Sequence, residues 1–169
     1  MDNTTIQKGH RYFAAEAFNR CWELIRLESR TAEQDREMIR RAEVSFWHWQ
    51  AYEDRTPTND AIGYWQLARV YTLAQAPEIA IEYALSGLEI VRTHQLDSFY
   101  AGYAWESLAR AYSVANRMDD CYESIKEARI AADLVTAPDH QSALIADIDT
   151  IRIVEQSGGG NSAALRASP

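Results

Sequence analysis

Cysteine, proline and glycine are all scarce in this chain of 169 residues, which contains two, four and seven of them. The cysteines, Cys21 and Cys121, lie 100 residues apart in helical patterns. Neither has the neighbours of a zinc site or of a redox pair, so we expect two ordinary buried thiols. The chain also lacks an apolar run near the ~20 residues that span a bilayer, and its N-terminus lacks the basic and apolar regions of a signal peptide. The sequence therefore predicts a cytoplasmic protein with no membrane partner.

Basic residues are also fewer than acidic ones. The formal net charge is −8, with 25 acidic against 17 basic residues, which disfavours nucleic acid as a partner. Three catalytic signatures are missing: a glycine-rich phosphate loop, Gly-x-Ser-x-Gly and His-Glu-x-x-His. We therefore expect a binding protein rather than an enzyme, with no cofactor and no metal site.

What the chain does contain is an internal repeat. The segment LARVYTLA at 67–74 returns as LARAYSVA at 108–115, with five of eight positions identical. Each copy is followed by a break and then by a second helical pattern. The repeating unit is therefore a helix pair that buries its apolar face by stacking on its neighbours, and the predicted fold class is all-α, an α-solenoid of antiparallel helix pairs.

Local signals place the helix boundaries. Thr31 and Gln34 form a capping box, and Thr56 and Pro57 separate the second helix from the third. Pro77 suits the first turn of the fourth helix, Asp97 or Ser98 can cap the fifth, and Thr136 followed by Pro138 predicts a capped seventh. The predicted helices cover about 5–28, 31–52, 60–73, 77–93, 98–115, 118–134 and 138–156.

These helices predict one domain over residues 1–156. It comprises an N-terminal hairpin at 5–55, a first repeat at 60–94, a second repeat at 97–135 and a capping helix at 138–156. Residues 157–169 begin with Ser-Gly-Gly-Gly and hold few apolar residues, so we expect a flexible tail.

The two repeats share a pattern of aromatic and small residues. The first has Tyr64, Leu67, Ala68, Tyr71, Ala80, Ala84 and Gly87; the second has Trp105, Leu108, Ala109, Tyr112, Cys121, Ile125 and Ala128. The pattern resembles the tetratricopeptide repeat, and the chain is similar to small bacterial proteins of that type. The period is 41 residues here against 34 in the family, which implies helices longer by about two turns. The resemblance covers 61–134 and implies a protein-binding role, with no activity to carry over.

The resemblance also implies which positions face the binding groove, and a helical wheel supports the division. They are Ile62, Trp65, Arg69, Thr72 and Leu73 in one copy, and Tyr103, Glu106, Arg110, Ser113 and Val114 in the next. In one interpretation Arg69 and Arg110 face the groove and hold a ligand carboxylate, while Trp65 and Tyr103 supply apolar contact. In the other, Glu106 neutralises the arginines in an internal ion pair.

A second candidate is the aromatic segment FWHWQAY at 46–52, whose four rings and His48 almost surround a helix. Such a helix is buried on more than one face, lines a cavity or meets another subunit. His48 is the one catalytic candidate, although a lone histidine on an aromatic helix is more often a hydrogen-bonded packing residue. The other three histidines, His10, His94 and His140, fall near helix ends or turns and are expected to form no pair of metal ligands.

The leading hypothesis is a helical-repeat interaction protein that binds a peptide or protein segment, an acidic one included, in the groove between helices three and five. The alternative is a small-molecule binding protein or cofactor-free enzyme, with a pocket lined by Trp47, His48, Trp49, Trp65 and Arg69. A third hypothesis is self-association into a homo-oligomer, because a short repeat array leaves its end surfaces uncovered.

Overall fold

The computed structural model describes residues 2–151, and in this range the chain is all-α, as the sequence predicts, with no strand. Consecutive helices pack as antiparallel pairs, α1 with α2, α3 with α4 and α5 with α6, and α7 covers the last pair. The seven helices are α1 (Asn3–Ile25), α2 (Ala32–Ala51), α3 (Pro57–Leu73), α4 (Pro77–Thr93), α5 (Ser98–Val114), α6 (Met118–Asp133) and α7 (Pro138–Asp149).

Side-chain caps fix where several helices begin. Thr31 and Gln34 form the predicted capping box of α2. Thr56 forms a second box with Asn59, and Pro57 occupies the first helical position, so α3 begins three residues before the predicted Asp60. Proline suits this position because its missing N–H would have no partner inside the helix.

Three inter-helix turns close in the same way. The residues that follow the C-caps of α3, α4 and α5 are Gln75, Gln95 and Asn116, with φ of 57°, 50° and 57°. The next N–H then bonds back to a carbonyl in the last turn, as Ala76 does to Tyr71 over 2.9 Å. This left-handed closure satisfies carbonyls that would otherwise lack partners and directs the chain into the next helix.

Small residues allow the helices to approach closely. One cluster of buried residues joins α3, α4 and α5 and includes Ala68, Ala80 and Ala84. Another joins the first hairpin to α3 and includes Met38 and Leu67. The groove positions of α3 and α5 therefore rest on a continuous core.

The seventh helix differs from its prediction. It ends at Asp149 rather than near 156, and Thr150 and Ile151 are not helical. Its N-cap is Ala137, and no side chain caps it, so the predicted capping role of Thr136 is wrong. Its apolar stripe nevertheless covers the last repeat, since Leu144 and Ile148 are buried there. The remainder of the capping-helix prediction and the predicted tail at 157–169 lie outside the described residues.

Both cysteines are buried free thiols, as expected. Burial raises the pKa of the Cys21 thiol to about 12, so the reactive thiolate is disfavoured at neutral pH. Among residues 2–151 no group of three or more histidine, cysteine, aspartate or glutamate side chains is placed to hold a metal ion. None of the described helices is both long and apolar enough to cross a membrane.

Candidate functional site

The groove lies between α3 and α5, which run side by side in the same direction. Residues near the start of α3 and the start of α5 line one pocket, and residues near their ends line another. Trp65 and Tyr103 meet edge to face midway, with ring centroids 5.0 Å apart. The structure thus brings the predicted site residues together along one stripe; these are Trp65, Arg69, Tyr103, Glu106 and Arg110.

Glu106 is the centre of this stripe, and it is only 1% exposed. Its carboxylate forms ion pairs with Arg110, one turn further along α5, and with Arg69 of α3, where Nη1 and Oε1 are 3.8 Å apart. The Trp65 indole N–H donates to its other oxygen over 3.4 Å. The prediction that Glu106 can neutralise either arginine is confirmed, and an internal carboxylate occupies the position between the arginines that a ligand carboxylate was expected to take.

Arg110 is bound on several sides. Beyond Glu106, its Nη2 donates to the backbone oxygen of Asp147 over 2.5 Å and to Thr150 Oγ1 over 2.6 Å. Its side chain is only 11% exposed, against 22% for Arg69. Arg110 thus lines the pocket near the ends of α3 and α5, and through these bonds it also joins α5 to the end of α7.

Tyr103 also connects α5 to α7. Its hydroxyl donates to Asp147 Oδ2 over 3.0 Å. The pKa of Tyr103 lies above its ordinary value because the phenol is buried, and because the Asp147 carboxylate further disfavours a phenolate. Tyr103 is thus a neutral hydrogen-bond donor whose ring face remains available to the groove.

An aromatic pocket of about 250 Å³ opens at the start of α3 and α5. We define the aromatic pocket by five rings that line it, those of Phe18, Trp65, Phe99, Tyr100 and Tyr103. Sequence reasoning identified Trp65, Tyr103 and Ile62 at this surface and missed the other three rings. Phe99 and Tyr100 lie one turn before Tyr103 on α5, a spacing that could have identified them, whereas Phe18 comes from α1 and only tertiary packing brings it here.

The aromatic segment of α2 faces a different part of the molecule. His48 Nδ1 lies 3.0 Å from His10 Nδ1 on α1, a contact that the sequence did not predict. The two imidazoles are part of an aromatic cluster with Phe13 and Trp47, and Trp47 is 61% exposed. Trp47 is thus largely exposed at the surface of the first hairpin. A hydrogen-bonded packing role describes His48 better than a catalytic one.

The alternative pocket predicted from the sequence is not assembled. Of its five residues only Trp65 lines the aromatic pocket, while Arg69 lies in a separate recess near the end of α3. His48 and Trp47 contact His10, and Trp49 packs on Tyr52 at 6.0 Å. The described contacts of these five residues therefore do not converge on one pocket.

Comparison with known proteins adds no relative: no protein-family model, no curated protein and no solved structure matches the chain. The resemblance to tetratricopeptide repeats therefore depends on the residue pattern alone.

Proposed function

We propose that this protein is a binding module that holds a peptide or protein segment in the groove between α3 and α5, with one apolar side chain of the ligand inserted into the aromatic pocket. The observation that carries the proposal is the pocket itself, a cavity of about 250 Å³ whose walls are aromatic and aliphatic side chains. An engineered apolar cavity of about 150 Å³ already holds benzene, so this one has room for the side chain of leucine or phenylalanine.

The polar groups of the pocket favour an apolar guest. The Tyr103 hydroxyl is bound to Asp147, and the Ser107 hydroxyl donates to the backbone oxygen of Ala104 over 2.9 Å. The Trp65 N–H is directed to Glu106. Because these three donors are already engaged, they are not available to a polar group of the ligand, which would lose its hydrogen bonds to water on entering the pocket.

The lining also favours binding over catalysis. No histidine, cysteine or carboxylate is among the described residues that line the aromatic pocket. Tyrosine and tryptophan rings held by packing are instead the side chains that contribute most at protein interfaces, because they offer a large apolar area at little cost in conformational entropy. Ring pairs hold two of these rings in place, Trp65 against Trp22 at 5.3 Å and Phe99 against Tyr103 at 5.0 Å.

The experiment starts from a random peptide library displayed on phage and selected on the purified protein. We expect the selected peptides to share an apolar residue whose replacement by alanine abolishes binding. Selected peptides are then titrated against Ile62→Glu, which places a charge in the pocket wall, and against Ile79→Glu as the control. Ile79 is a 41% exposed isoleucine on α4 that does not line the pocket.

Binding at least about tenfold weaker for Ile62→Glu, with wild-type affinity for Ile79→Glu, supports the proposal. Circular dichroism of both variants verifies that the helices are intact. If no peptide is enriched, or if selected peptides bind Ile62→Glu as they bind the wild type, the groove is not the binding site.

A further inference from the structure

A second cavity, of about 420 Å³, lies at the other end of the groove, where α3 and α5 terminate. Three arginines from three segments line it: Arg30 from the turn between α1 and α2, Arg69 from α3 and Arg110 from α5. We call it the arginine recess. Sequence reasoning did not identify Arg30, because nothing local connects that turn with the repeats.

The composition of the recess contrasts with the rest of the chain. Its described lining includes the hydroxyl residues Thr72, Ser113 and Thr150, and no acidic side chain is part of that lining. The whole chain carries a net charge of −8. An acidic protein that gathers three guanidinium groups around one cavity, with no carboxylate among the described residues of its lining, has the local charge of an anion site.

The acidic groups that contact these arginines compensate them only in part. Arg30 forms an ion pair with Asp35 over 2.7 Å, but Arg69 and Arg110 share the single carboxylate of Glu106. Arg110 holds Glu106 closely, and Arg69 reaches it only at 3.8 Å. The Arg69 Nε is buried and has no hydrogen-bond partner among the described residues.

The pKa of Arg69 agrees with this incomplete compensation. It lies below the ordinary value because burial disfavours the charged guanidinium, and next because the Arg110 charge repels it. The carboxylates of Glu106 and Asp147 oppose these effects without cancelling them. A negatively charged group in the recess would offset that repulsion.

The number and origin of the arginines suit a phosphate better than a carboxylate. A carboxylate has two oxygens in one plane, which a single arginine can satisfy. A phosphate monoester has three acceptor oxygens and a charge of about −1.5 to −2 near pH 7, so it can bind donors arriving from several directions. The recess also exceeds the size of a phosphate, which leaves space for the group that carries it.

We propose that the arginine recess is a phosphate-binding site, in which Arg30, Arg69 and Arg110 hold the phosphate group of a monoester or of free inorganic phosphate. The site is distinct from the aromatic pocket, and it stands or falls independently of peptide binding there. The two sources of the phosphate group are separated by experiment.

The full-length protein is titrated by calorimetry with inorganic phosphate, with phosphoserine and with sodium chloride of matched ionic strength. Saturable binding of either phosphate compound, absent with chloride, supports the proposal. Tighter binding of phosphoserine identifies a monoester site, and equal binding identifies free phosphate as a sufficient ligand. Identical responses to all three solutes would reflect ionic strength alone and would overturn the proposal.

The chain offers a matched pair of variants. Gln75 and Gln95 are both exposed, both follow a helix end and both have positive φ, but only Gln75 lines the recess. Gln75→Glu places a carboxylate at the recess and should weaken phosphate binding at least about tenfold, while Gln95→Glu should leave it unchanged. Equal affinities for the two variants would overturn the proposal.

A second pair removes an arginine. Arg30→Gln deletes one guanidinium of the recess. Arg117→Gln is the control, because Arg117 also lies between two helices and forms an ion pair with an aspartate, Asp120, at 2.8 Å. We expect phosphate affinity to fall at least about tenfold in the first variant and not in the second. Circular dichroism verifies both folds, and the Gln75 pair decides the matter should Arg30→Gln unfold.

Discussion

Glu106 carries a charge at a position that solvent barely reaches. Two arginines and an indole N–H surround it, so desolvation of the carboxylate is offset by three contacts. Such an arrangement contributes less to stability than its contacts suggest, because each ion has lost its hydration. Removing one member is costly all the same, since its partners remain buried without it.

We therefore expect Glu106→Gln to lower the free energy of unfolding by about 3 to 5 kcal/mol, because it leaves Arg69 and Arg110 facing each other without a carboxylate. Urea titration followed by circular dichroism measures the loss. The control is Glu123→Gln, whose ion pair with Lys126 is exposed and should be worth less than about 1 kcal/mol. A similarly small loss for Glu106→Gln would show that the network does not stabilise the fold.

The contact between His10 and His48 gives stability a pH dependence. The pKa of His48 lies below its ordinary value because burial disfavours the charged ring, and next because of the charge of His10. His48 therefore has a lower pKa in the folded chain than in the unfolded chain. At pH values between these two pKa values, the unfolded chain binds more protons than the folded chain. The stabilisation by the neutral ring is fully present above about pH 6.5 and is lost as the pH falls below it.

We expect the free energy of unfolding of the wild type to decrease between about pH 7.5 and 5.5 by more than that of His48→Gln, in which this proton uptake is absent. Chemical denaturation at several pH values across this range measures the difference. His94→Gln, at an exposed histidine after α4, serves as the control and should keep the wild-type slope. If the free energy of unfolding has the same slope against pH in the wild type and in His48→Gln, the pH dependence does not come from His48.

The ion network was accessible to sequence reasoning, whereas the histidine pair was not. The 41-residue repeat places Glu106 at the position equivalent to Trp65 and Arg110 at the position equivalent to Arg69, so one helical wheel brings all four to one stripe. His10 and His48 belong to the N-terminal hairpin, which lies outside the repeat. Their contact depends on the register between α1 and α2, and no local pattern encodes that register.

Two glycines determine how closely α3 and α5 approach the helices packed against them. A Cβ added at Gly102 of α5 would lie 2.3 Å from Leu144 Cδ2 of α7, and one added at Gly63 of α3 would lie 2.6 Å from Phe46 Cδ2 of α2. Neither distance is compatible with van der Waals contact. Each helix therefore uses a glycine where a large side chain of another helix rests on its backbone.

The substitution Gly102→Ala should accordingly destabilise the protein by about 1 to 3 kcal/mol, because displacing the buried Leu144 side chain outweighs the gain in helix propensity. Gly9→Ala is the matched control, because Gly9 lies inside α1 and no atom lies within 4 Å of the added Cβ. It should stabilise the protein by about 0.5 to 1 kcal/mol, the usual gain in helix propensity. Thermal unfolding of the two variants should thus shift in opposite directions, and a stabilising Gly102→Ala would show that α7 does not pack closely.

The boundaries of most helices could be predicted because their signals are local. Pro77 begins α4 and Thr31 caps α2 through side chains within four residues of the helix start. The sequence predicts too late an end for α7 because the apolar pattern continues through Ile151. This residue packs on Cys121 although it is not helical. Periodicity reports burial, and an extended segment can bury an apolar residue as a helix does.

At the scale of the molecule, the first hairpin, α1 with α2, has an outer face that no other described helix covers. Three rings on it are more than half exposed, with exposed fractions of 64% for Tyr12, 51% for Phe13 and 61% for Trp47. A contiguous aromatic surface of this kind is typical of an interaction site. In a repeat array the equivalent face of an internal helix pair would be covered by the next pair.

We expect this face to mediate self-association, so that sedimentation velocity detects a species larger than the monomer whose proportion rises with concentration. Trp47→Glu should shift the distribution to the monomer. Leu134→Glu is the control, since Leu134 is 65% exposed at the far end of α6. A wild-type protein that remains monomeric at all concentrations would show that the aromatic face meets another partner or none.

The contact between Trp22 of α1 and Trp65 of α3 has an optical consequence. Two indoles with centroids 5.3 Å apart and planes inclined by 37° are close enough for their electronic transitions to couple, and we expect a bisignate band in circular dichroism. The band depends on the relative orientation of two chromophores rather than on helix content. Trp65 also lines the aromatic pocket, so the native chain contains an unlabelled reporter that senses whether α1 stays docked and whether the neighbouring pocket is filled.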